Sequence, residues 1–313
     1  MIHVESLRID YENVTAVCDL SLDVAPGQIY GLVGPNGAGK TSTLKALAGI
    51  IAPTYGEIKI AGYDLALNAK EALQQVGFMP DFPPMYENLK VNEYLEVFAV
   101  AYLMDPDQRL KKARAWVEML NLAEKWNSYV RELSRGMRQR LVLAKTLLHE
   151  PKVLLLDEPA SGLDPLGRKD MRDILKRVAT SDKAIIISSH ILTELSDFCN
   201  AVGIMEKGRL VVSGPIEKIR ESIGIKGQLI IHVAETNERI ESSLRTLLEQ
   251  SSHVLNCEKI SPLEFRASFS GEKAHASLLL RQLIENKIPI AQFFIKEANF
   301  EDIFLKIGAK QVT

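Results

Sequence analysis

Hydrophobic and polar positions follow two alternating spacings up to about residue 220. Short runs of aliphatic residues alternate with longer segments in which apolar side chains recur every three or four positions. Uninterrupted apolar runs are typical of strands buried on both faces, and the longer spacing is typical of amphipathic helices. The pattern therefore predicts an α/β domain over residues 1–220 with a largely parallel sheet. Its predicted core strands are Ile29–Val33, Val76–Met79, Val153–Leu156 and Ala184–Ser188.

A helical stretch interrupts this alternation. Helical spacing dominates from about residue 84 to residue 150, for example over Val91–Tyr102 and Gln108–Leu120. Pro84 and Pro151 bound the stretch, because proline disfavours helix in the residue before it. We therefore predict a helical subdomain inserted into the α/β domain. Its aromatic side chains fit either the core of that subdomain or a docking groove for a partner helix, and they are Phe82, Tyr86, Tyr94, Phe98 and Tyr102.

The spacing changes again after Gly214-Pro215. Residues 221–313 predict a second, smaller domain with strand and helix patterns in the order β-α-β-β-α-β, which favours a ferredoxin-like α+β fold. The predicted elements are Leu229–Val233, Arg239–Leu248, Val254–Ile260, Leu263–Phe269, Ala274–Glu285 and Ile290–Ile295, followed by a last helix over Phe300–Ile307. No catalytic cluster is recognisable in this region, so an accessory or regulatory role is expected for it.

Charge and apolar run length exclude several classes of protein. The chain has 38 basic and 40 acidic side chains, a formal net charge of −2, so no strong overall field attracts nucleic acid, and no nucleic-acid partner is expected. Its apolar runs are far shorter than the roughly 20 residues that span a bilayer. The N-terminus lacks the pattern of an export signal, and three widely spaced cysteines indicate reduced thiols. These features together predict a cytoplasmic protein.

The first candidate chemistry is a glycine-rich loop between a predicted strand and a helix. Backbone N–H groups of such a loop turn towards phosphates, and the helix N-terminus adds positive partial charge. Lys40 adds a full charge for the β- and γ-phosphates, and Thr41 offers a hydroxyl to Mg²⁺. The predicted ATP-binding residues of this loop are Gly34, Pro35, Asn36, Gly37, Ala38, Gly39, Lys40, Thr41 and Ser42.

Two acids and a histidine follow later strands. Asp157 ends the strand from Val153, as in the second motif of P-loop ATPases, and is predicted to bind Mg²⁺. Glu158 is the predicted general base for the attacking water, because a carboxylate at a strand end can face the γ-phosphate. His190 ends the next predicted strand and is expected near the γ-phosphate. Glu158, His190 and Lys40 are thus the predicted catalytic residues.

These motifs, in this order, resemble the nucleotide-binding subunit of ATP-binding cassette (ABC) transporters over residues 1 to about 220. The segment Leu133-Ser134-Arg135-Gly136-Met137 is similar to the family's signature motif. The resemblance implies a head-to-tail dimer around two ATP molecules, either a homodimer or a pair with another such subunit. It also implies that Ser134 and the N–H of Gly136 cap ATP on the other subunit, and that Tyr11 stacks on adenine.

The sequence departs from the family's usual pattern in two places, which together involve three positions. The signature more often reads Leu-Ser-Gly-Gly-Gln, whereas Arg135 and Met137 occupy its third and fifth positions. Asp81 stands where the family commonly has a glutamine between Mg²⁺ and the membrane partner. A carboxylate can also offer oxygen to Mg²⁺, so Asp81 is a predicted metal ligand.

The resemblance implies an ATPase that powers a separate transmembrane permease from the inner face of the cell membrane. The run Asn299–Lys306 is similar to the closing segment of a subgroup that contains many exporters, which predicts export. The alternative is an ABC ATPase that acts on nucleic acid or ribosomes without a membrane partner. Such proteins often carry paired cassettes or long coiled insertions, and this chain has one cassette.

Overall fold

The computed structural model describes residues 1–191, 195, 198–223 and 227–297. The chain divides into two compact units, unit 1 (Met1–Pro215) and unit 2 (Ile216–Thr313). The predicted boundary near residue 220 falls within α7, the first helix of unit 2 (Ile216–Ile223). None of the helices in the described ranges combines the length and the hydrophobicity that a bilayer span requires.

Unit 1 contains ten strands and six helices among its described residues. The strands are β1 (Ile2–Tyr11), β2 (Val14–Val24), β3 (Ile29–Val33), β4 (Tyr55–Ile60), β5 (Tyr63–Asp64), β6 (Val76–Met79), β7 (Val153–Asp157), β8 (Ala184–Ser189), β9 (Ala201–Glu206) and β10 (Arg209–Pro215). The helices are α1 (Lys40–Leu47), α2 (Ala69–Gln74), α3 (Val91–Ala101), α4 (Pro106–Met119), α5 (Arg135–Leu147) and α6 (Pro165–Val178).

A six-stranded sheet in the order β10-β9-β3-β8-β7-β6 forms the centre of unit 1. The strands from β9 to β6 are parallel, which confirms the predicted parallel sheet and its four predicted strands. All residues of β3 and β7 are buried, so their sequences show continuous apolar runs and no alternation. Because β3, β8 and β7 are adjacent and parallel, the chain segments that follow them meet at one edge of the sheet.

An antiparallel sheet in the order β2-β1-β4-β5 shares a hydrophobic core with the parallel sheet and α1. Leu7 and Leu20 of this sheet, Leu44 of α1, and Leu155 and Ile186 of the parallel sheet belong to the same cluster. The sequence pattern did not predict this second sheet. Its strands are buried on one face only, and irregular register between Val4 and Ile9 breaks the alternation that would have marked β1.

The stretch from residue 84 to 150 is helical, as predicted, and consists of α3, α4, α5 and two short 3-10 turns. The side chain of Asp105 caps α4 and that of Ser134 caps α5. Tyr94 is buried in the subdomain, whereas Phe82 and Tyr86 are 79% and 56% exposed. The aromatic set is therefore divided between the core and the surface.

Unit 2 has the predicted β-α-β-β-α-β order after α7. Its elements are β11 (Gly227–Val233), α8 (Glu238–Gln250), β12 (Val254–Ser261), β13 (Glu264–Phe269), α9 (Lys273–Glu285) and β14 (Ile290–Glu297). The strands form an antiparallel sheet in the order β12-β13-β11-β14, and Leu244 of α8 and Leu279 of α9 pack on its apolar face. This arrangement confirms the ferredoxin-like prediction. The predicted last helix, Phe300–Ile307, lies outside the described residues.

Candidate active site

The glycine-rich loop leaves β3 and enters α1 at the shared edge of the parallel sheet. Gly39, the residue before α1, has a left-handed backbone with φ +104°, and an added Cβ would lie 2.4 Å from the Ala16 carbonyl oxygen. A Cβ on Gly34 would lie 2.3 Å from the Met205 carbonyl oxygen. Glycine is therefore required at both positions, and the loop presents the uncapped N–H groups of α1 to an anion.

Lys40 supplies the positive charge within this loop. Its side chain is 6% exposed, and Nζ donates to the carbonyl oxygens of Gly34 at 2.7 Å and Pro35 at 3.2 Å. Burial lowers the pKa of Lys40, while the carboxylates of Glu158 and Asp157 oppose that shift. The ammonium lies 3.9 Å from Glu158 Oε1, so the phosphate loop and the acids after β7 form one site.

Asp157 is the centre of a buried hydrogen-bond network at the end of β7. Its Oδ1 accepts from Ser188 Oγ at 2.6 Å and from Thr41 Oγ1 at 3.2 Å. The same Ser188 hydroxyl accepts from the backbone N–H of Glu158 at 3.0 Å. Sequence reasoning missed Ser188, which is fully buried; only the pairing of Asp157 with Ser188 in the sheet brings the two together.

Glu158, the second acid of the site, contacts both His190 and Lys40. His190 Nδ1 lies 2.9 Å from Glu158 Oε2, while the other carboxylate oxygen faces Lys40. The Glu158 side chain is 13% exposed and its backbone is left-handed, with φ 48°. A non-glycine residue in this conformation is strained, and such strain persists where the surrounding contacts hold it. The three predicted catalytic residues, Lys40, Glu158 and His190, are therefore in mutual contact through Glu158.

Asp81 follows β6, the neighbour of β7. Its Oδ1 is buried without a hydrogen-bond partner among the described residues. Burial is the main cause that raises the pKa of Asp81, and Asp157 and Glu158 raise it further, whereas Arg135 and His190 lower it. A buried carboxylate oxygen without a donor is suited to a cation.

These oxygen donors test whether the site fits Mg²⁺. The Thr41 hydroxyl and the Asp157 and Asp81 carboxylates are the hard ligands that Mg²⁺ prefers. Within the described ranges, no group of three or more His, Cys, Asp or Glu side chains is arranged to hold a metal alone. Mg²⁺ commonly binds through one or two protein oxygens together with substrate phosphates and water, so the donor set fits Mg²⁺ in that mode.

A cavity of about 650 Å³ opens over the phosphate loop, a size within the range of small-molecule sites. The predicted residues that line it are Asn36, Gly37, Ala38, Gly39, Lys40, Thr41, Ser42, Asp81, Glu158 and His190. Val14, Thr15, Ala16 and Lys207 also line it and were not predicted. Lys207 precedes Gly208, whose N–H donates to the Ala38 carbonyl oxygen at 3.1 Å, so this β9–β10 turn is tied to the phosphate loop.

Six predicted residues lie outside this lining set: Gly34, Pro35 and Asp157, described above, and Tyr11, Ser134 and Gly136. Tyr11, at the end of β1, is 47% exposed, and its hydroxyl is 3.3 Å from Ser42 Oγ. The Ser134 hydroxyl accepts from the Met137 N–H at 3.3 Å as the cap of α5, and Gly136 is half-buried in the first turn. The structure thus places Tyr11 beside the phosphate-loop helix, whereas Ser134 and Gly136 lie at the start of α5 and do not line the cavity.

A phosphate loop with a buried lysine, a strand-end acid pair and a histidine define a P-loop nucleotide hydrolase. The family model of the ABC transporter matches residues 17–161. The Nod factor export ATP-binding protein I of Ralstonia nicotianae is 32% identical over 322 residues, covering 100% of this chain and 95% of that protein. The bacitracin transport ATP-binding protein BcrA of Bacillus licheniformis is 32% identical over 299 residues, covering 95% of this chain and 94% of that protein.

Solved structures agree in fold. An ATP-binding subunit of an ABC transporter matches with a TM-score of 0.65 and 29% identity, covering 72% of this chain and 93% of that one. A dimeric bacterial ABC transporter cassette matches with a TM-score of 0.62 at 22% identity, covering 69% and 99%. The chain belongs to the ATP-binding subunits of ABC transporters. It is an ATPase, and transport is favoured over the nucleic-acid alternative, with a membrane permease as the implied partner.

Proposed function

We propose that this chain is the ATPase subunit of an exporter. In this proposal it pairs with an identical or related subunit around two Mg-ATP molecules, and drives a separate permease from the cytoplasmic face of the membrane. Two relatives that match over nearly their full length are named for Nod factor export and bacitracin transport. The observation that carries the hydrolytic part is the contact of Glu158 with both Lys40 and His190.

Each residue then has a distinct task in hydrolysis. The N–H groups of the loop and Lys40 bind the phosphates and hold their charge in place. Thr41, Asp157 and Asp81 would hold Mg²⁺, which supplies neutralisation of phosphate charge when bound. Glu158 takes the proton of the attacking water through Oε1 or Oε2. His190, at 2.9 Å from Oε2, orients that carboxylate.

The signature surface completes the site of a second subunit in this proposal. Ser134 and Gly136 stand at the start of α5, where the Ser134 hydroxyl can donate its proton and the Gly136 N–H can donate to an anion from outside. Tyr11 lies beside Ser42 at the rim of the phosphate loop, a position that suits stacking on the adenine of bound ATP. ATP binding therefore closes a head-to-tail pair, and hydrolysis reopens it.

Unit 2 is proposed to be an accessory or regulatory module. It has its own hydrophobic core, built from α8, α9 and one sheet face, which supports an independent folding unit. Both relatives named above align with nearly the whole chain, so the matched region includes unit 2.

Glu158→Gln tests the hydrolytic assignment. The amide keeps the size of the side chain but cannot accept the proton of water, so ATP binding should persist while turnover falls by roughly 100-fold or more. Binding is measured by calorimetry and turnover by phosphate release with and without EDTA. Glu118→Gln, an exposed change on α4, is the matched control and should keep wild-type turnover. Undiminished phosphate release from Glu158→Gln would remove Glu158 from this role.

Copurification tests the transport assignment. The tagged chain, recovered from gently solubilised membranes, should bring with it a polytopic membrane protein whose recovery changes with added ATP. Recovery of ribosomes or nucleic acid without any membrane protein would refute the exporter and support the alternative function.

A further inference from the structure

The first turn of α5 contacts the turn that follows Glu158. Arg135 and Gln139 are four residues apart and therefore share one face of the helix. Gln139 Nε2 donates to the Ser161 carbonyl oxygen at 3.0 Å. The guanidinium of Arg135 lies directly over Gly162, because a Cβ built on Gly162 would be 2.1 to 2.4 Å from three guanidinium atoms. Both side chains thus hold residues 161–162 against α5.

This turn is continuous with the candidate general base. The Ser161 N–H donates to the Glu158 carbonyl oxygen at 3.0 Å, which closes the turn directly on Glu158. Glu158 itself has a strained left-handed backbone. A contact that fixes residues 161–162 therefore also restrains the backbone that aims the Glu158 carboxylate.

Arg135 also places a positive charge near the rim of the cavity that Asp81 and Glu158 line. Asp81 and Ser161 line the same cavity, and the Arg135 guanidinium rests on the residue next to Ser161. Asp81 has a buried carboxylate oxygen without a hydrogen bond among the described residues.

We propose that Arg135 is a positioning residue for ATP hydrolysis in its own subunit. It holds the turn after Glu158 and offsets the charge of Asp81. Arg135 and Asp81, two of the three positions that depart from the usual family sequence, are then one coupled pair of opposite charges. Ser134 and Gly136 face outward in the proposed function, whereas Arg135, between them, serves its own subunit. This inference rests on the proposed hydrolytic role of Glu158.

A double-mutant cycle between Arg135→Met and Asp81→Gln tests the coupling in the intact chain. Methionine keeps an unbranched side chain over Gly162 and removes the charge. Arg135→Met alone should lower kcat for ATP hydrolysis by about fivefold, a modest effect because Arg135 is exposed and its charge is screened. In the Asp81→Gln background the same change should alter kcat by less than about twofold. Arg135→Lys, which retains the charge, should recover most of the loss.

Arg138→Met is the matched control, because Arg138 lies in the same turn of α5 but pairs with Glu87 at 2.6 Å. Arg138→Met should change kcat by the same factor whether residue 81 is Asp or Gln. Urea unfolding of each variant verifies the fold, and Arg135→Gln replaces Arg135→Met if the latter is unfolded. Additive effects of Arg135 and Asp81, or failure of lysine to restore kcat, would overturn the inference.

The Glu158→Gln variant separates this inference from the proposed function. If Glu158→Gln abolishes hydrolysis while the cycle is additive, only the role of Arg135 is refuted. If Glu158→Gln hydrolyses ATP at the wild-type rate, the hydrolytic assignment itself fails.

Discussion

The Ser188 hydroxyl joins the two acids of the site, and its removal gives a sharp test of the buried network. It donates to Asp157 Oδ1 at 2.6 Å and accepts from the Glu158 N–H at 3.0 Å. A hydrogen bond to a charged acceptor contributes about 1.5–3 kcal/mol, and a buried N–H without an acceptor costs about 1–3 kcal/mol. Thr41 still donates to Asp157 and limits the loss. Ser188→Ala should therefore lower the free energy of unfolding of unit 1 by about 3 kcal/mol.

Intrinsic fluorescence during urea unfolding can isolate unit 1. The only two tryptophans of the chain, Trp116 and Trp126, both lie within Met1–Pro215. Turnover is measured in parallel, because a misplaced Glu158 backbone should lower kcat on the order of 100-fold while ATP still binds.

Ser189→Ala is the matched control on the same strand. Ser189 is also buried, but its hydroxyl bonds the backbone of Ile191, away from the two acids. Its partner is the neutral, half-buried backbone of Ile191, so Ser189→Ala should lose about 1 kcal/mol, clearly less than Ser188→Ala, and keep most of its turnover. If Ser188→Ala behaves like Ser189→Ala in both assays, the bridging role of Ser188 is wrong.

Three further changes probe the phosphate loop and the core. Gly39→Ala should abolish ATP binding in calorimetry, because its Cβ would meet the Ala16 carbonyl oxygen within the folded chain. Gly37→Ala has open space in the chain itself, so it should lower the free energy of unfolding by only about 1 kcal/mol of backbone strain, less than Gly39→Ala does, and equal losses in unfolding would contradict this. Lys40→Met should weaken ATP binding on the order of 100-fold, because the charge that binds the phosphates is lost. The free energy of unfolding without nucleotide should change little, because the substitution also removes the cost of burying an ammonium. Burial raises the pKa of Tyr30 to about 12, above the value of about 10 in an unfolded chain. The neutral phenol therefore contributes its full stabilisation of unit 1 below pH 10. Up to about 2.7 kcal/mol of that stabilisation is lost as the pH rises from 10 towards 12. Tyr30→Phe should remove that part of the alkaline destabilisation in urea unfolding, and an unchanged pH profile would refute it.

Local patterns predicted much of this molecule. The glycine-rich loop, the buried strands and the α+β order of unit 2 depend on residues close together in sequence, and the structure confirms these elements. The positions of Asp157 and His190 were also predictable, because each follows an apolar strand.

Features that depend on pairing between distant segments were not predictable. Ser188 matters because β8 pairs with β7 in a register that sets it opposite Asp157, and a lone serine gives no signal of that register. The left-handed backbone of Glu158 is likewise invisible, since glutamate does not favour that conformation. Lys207 reaches the cavity through a hairpin far along the chain.

The strand order of the parallel sheet also constrains synthesis on the ribosome. β8 lies between β3 and β7, and β9 covers the other side of β3. A growing chain that has reached residue 183 contains the complete phosphate loop and the acid pair, but β3 has neither of its neighbours and β7 has only β6. Unpaired strand edges of this kind favour aggregation. ATP capture by nascent chains should therefore appear only once the segment through residue 206 has left the exit tunnel.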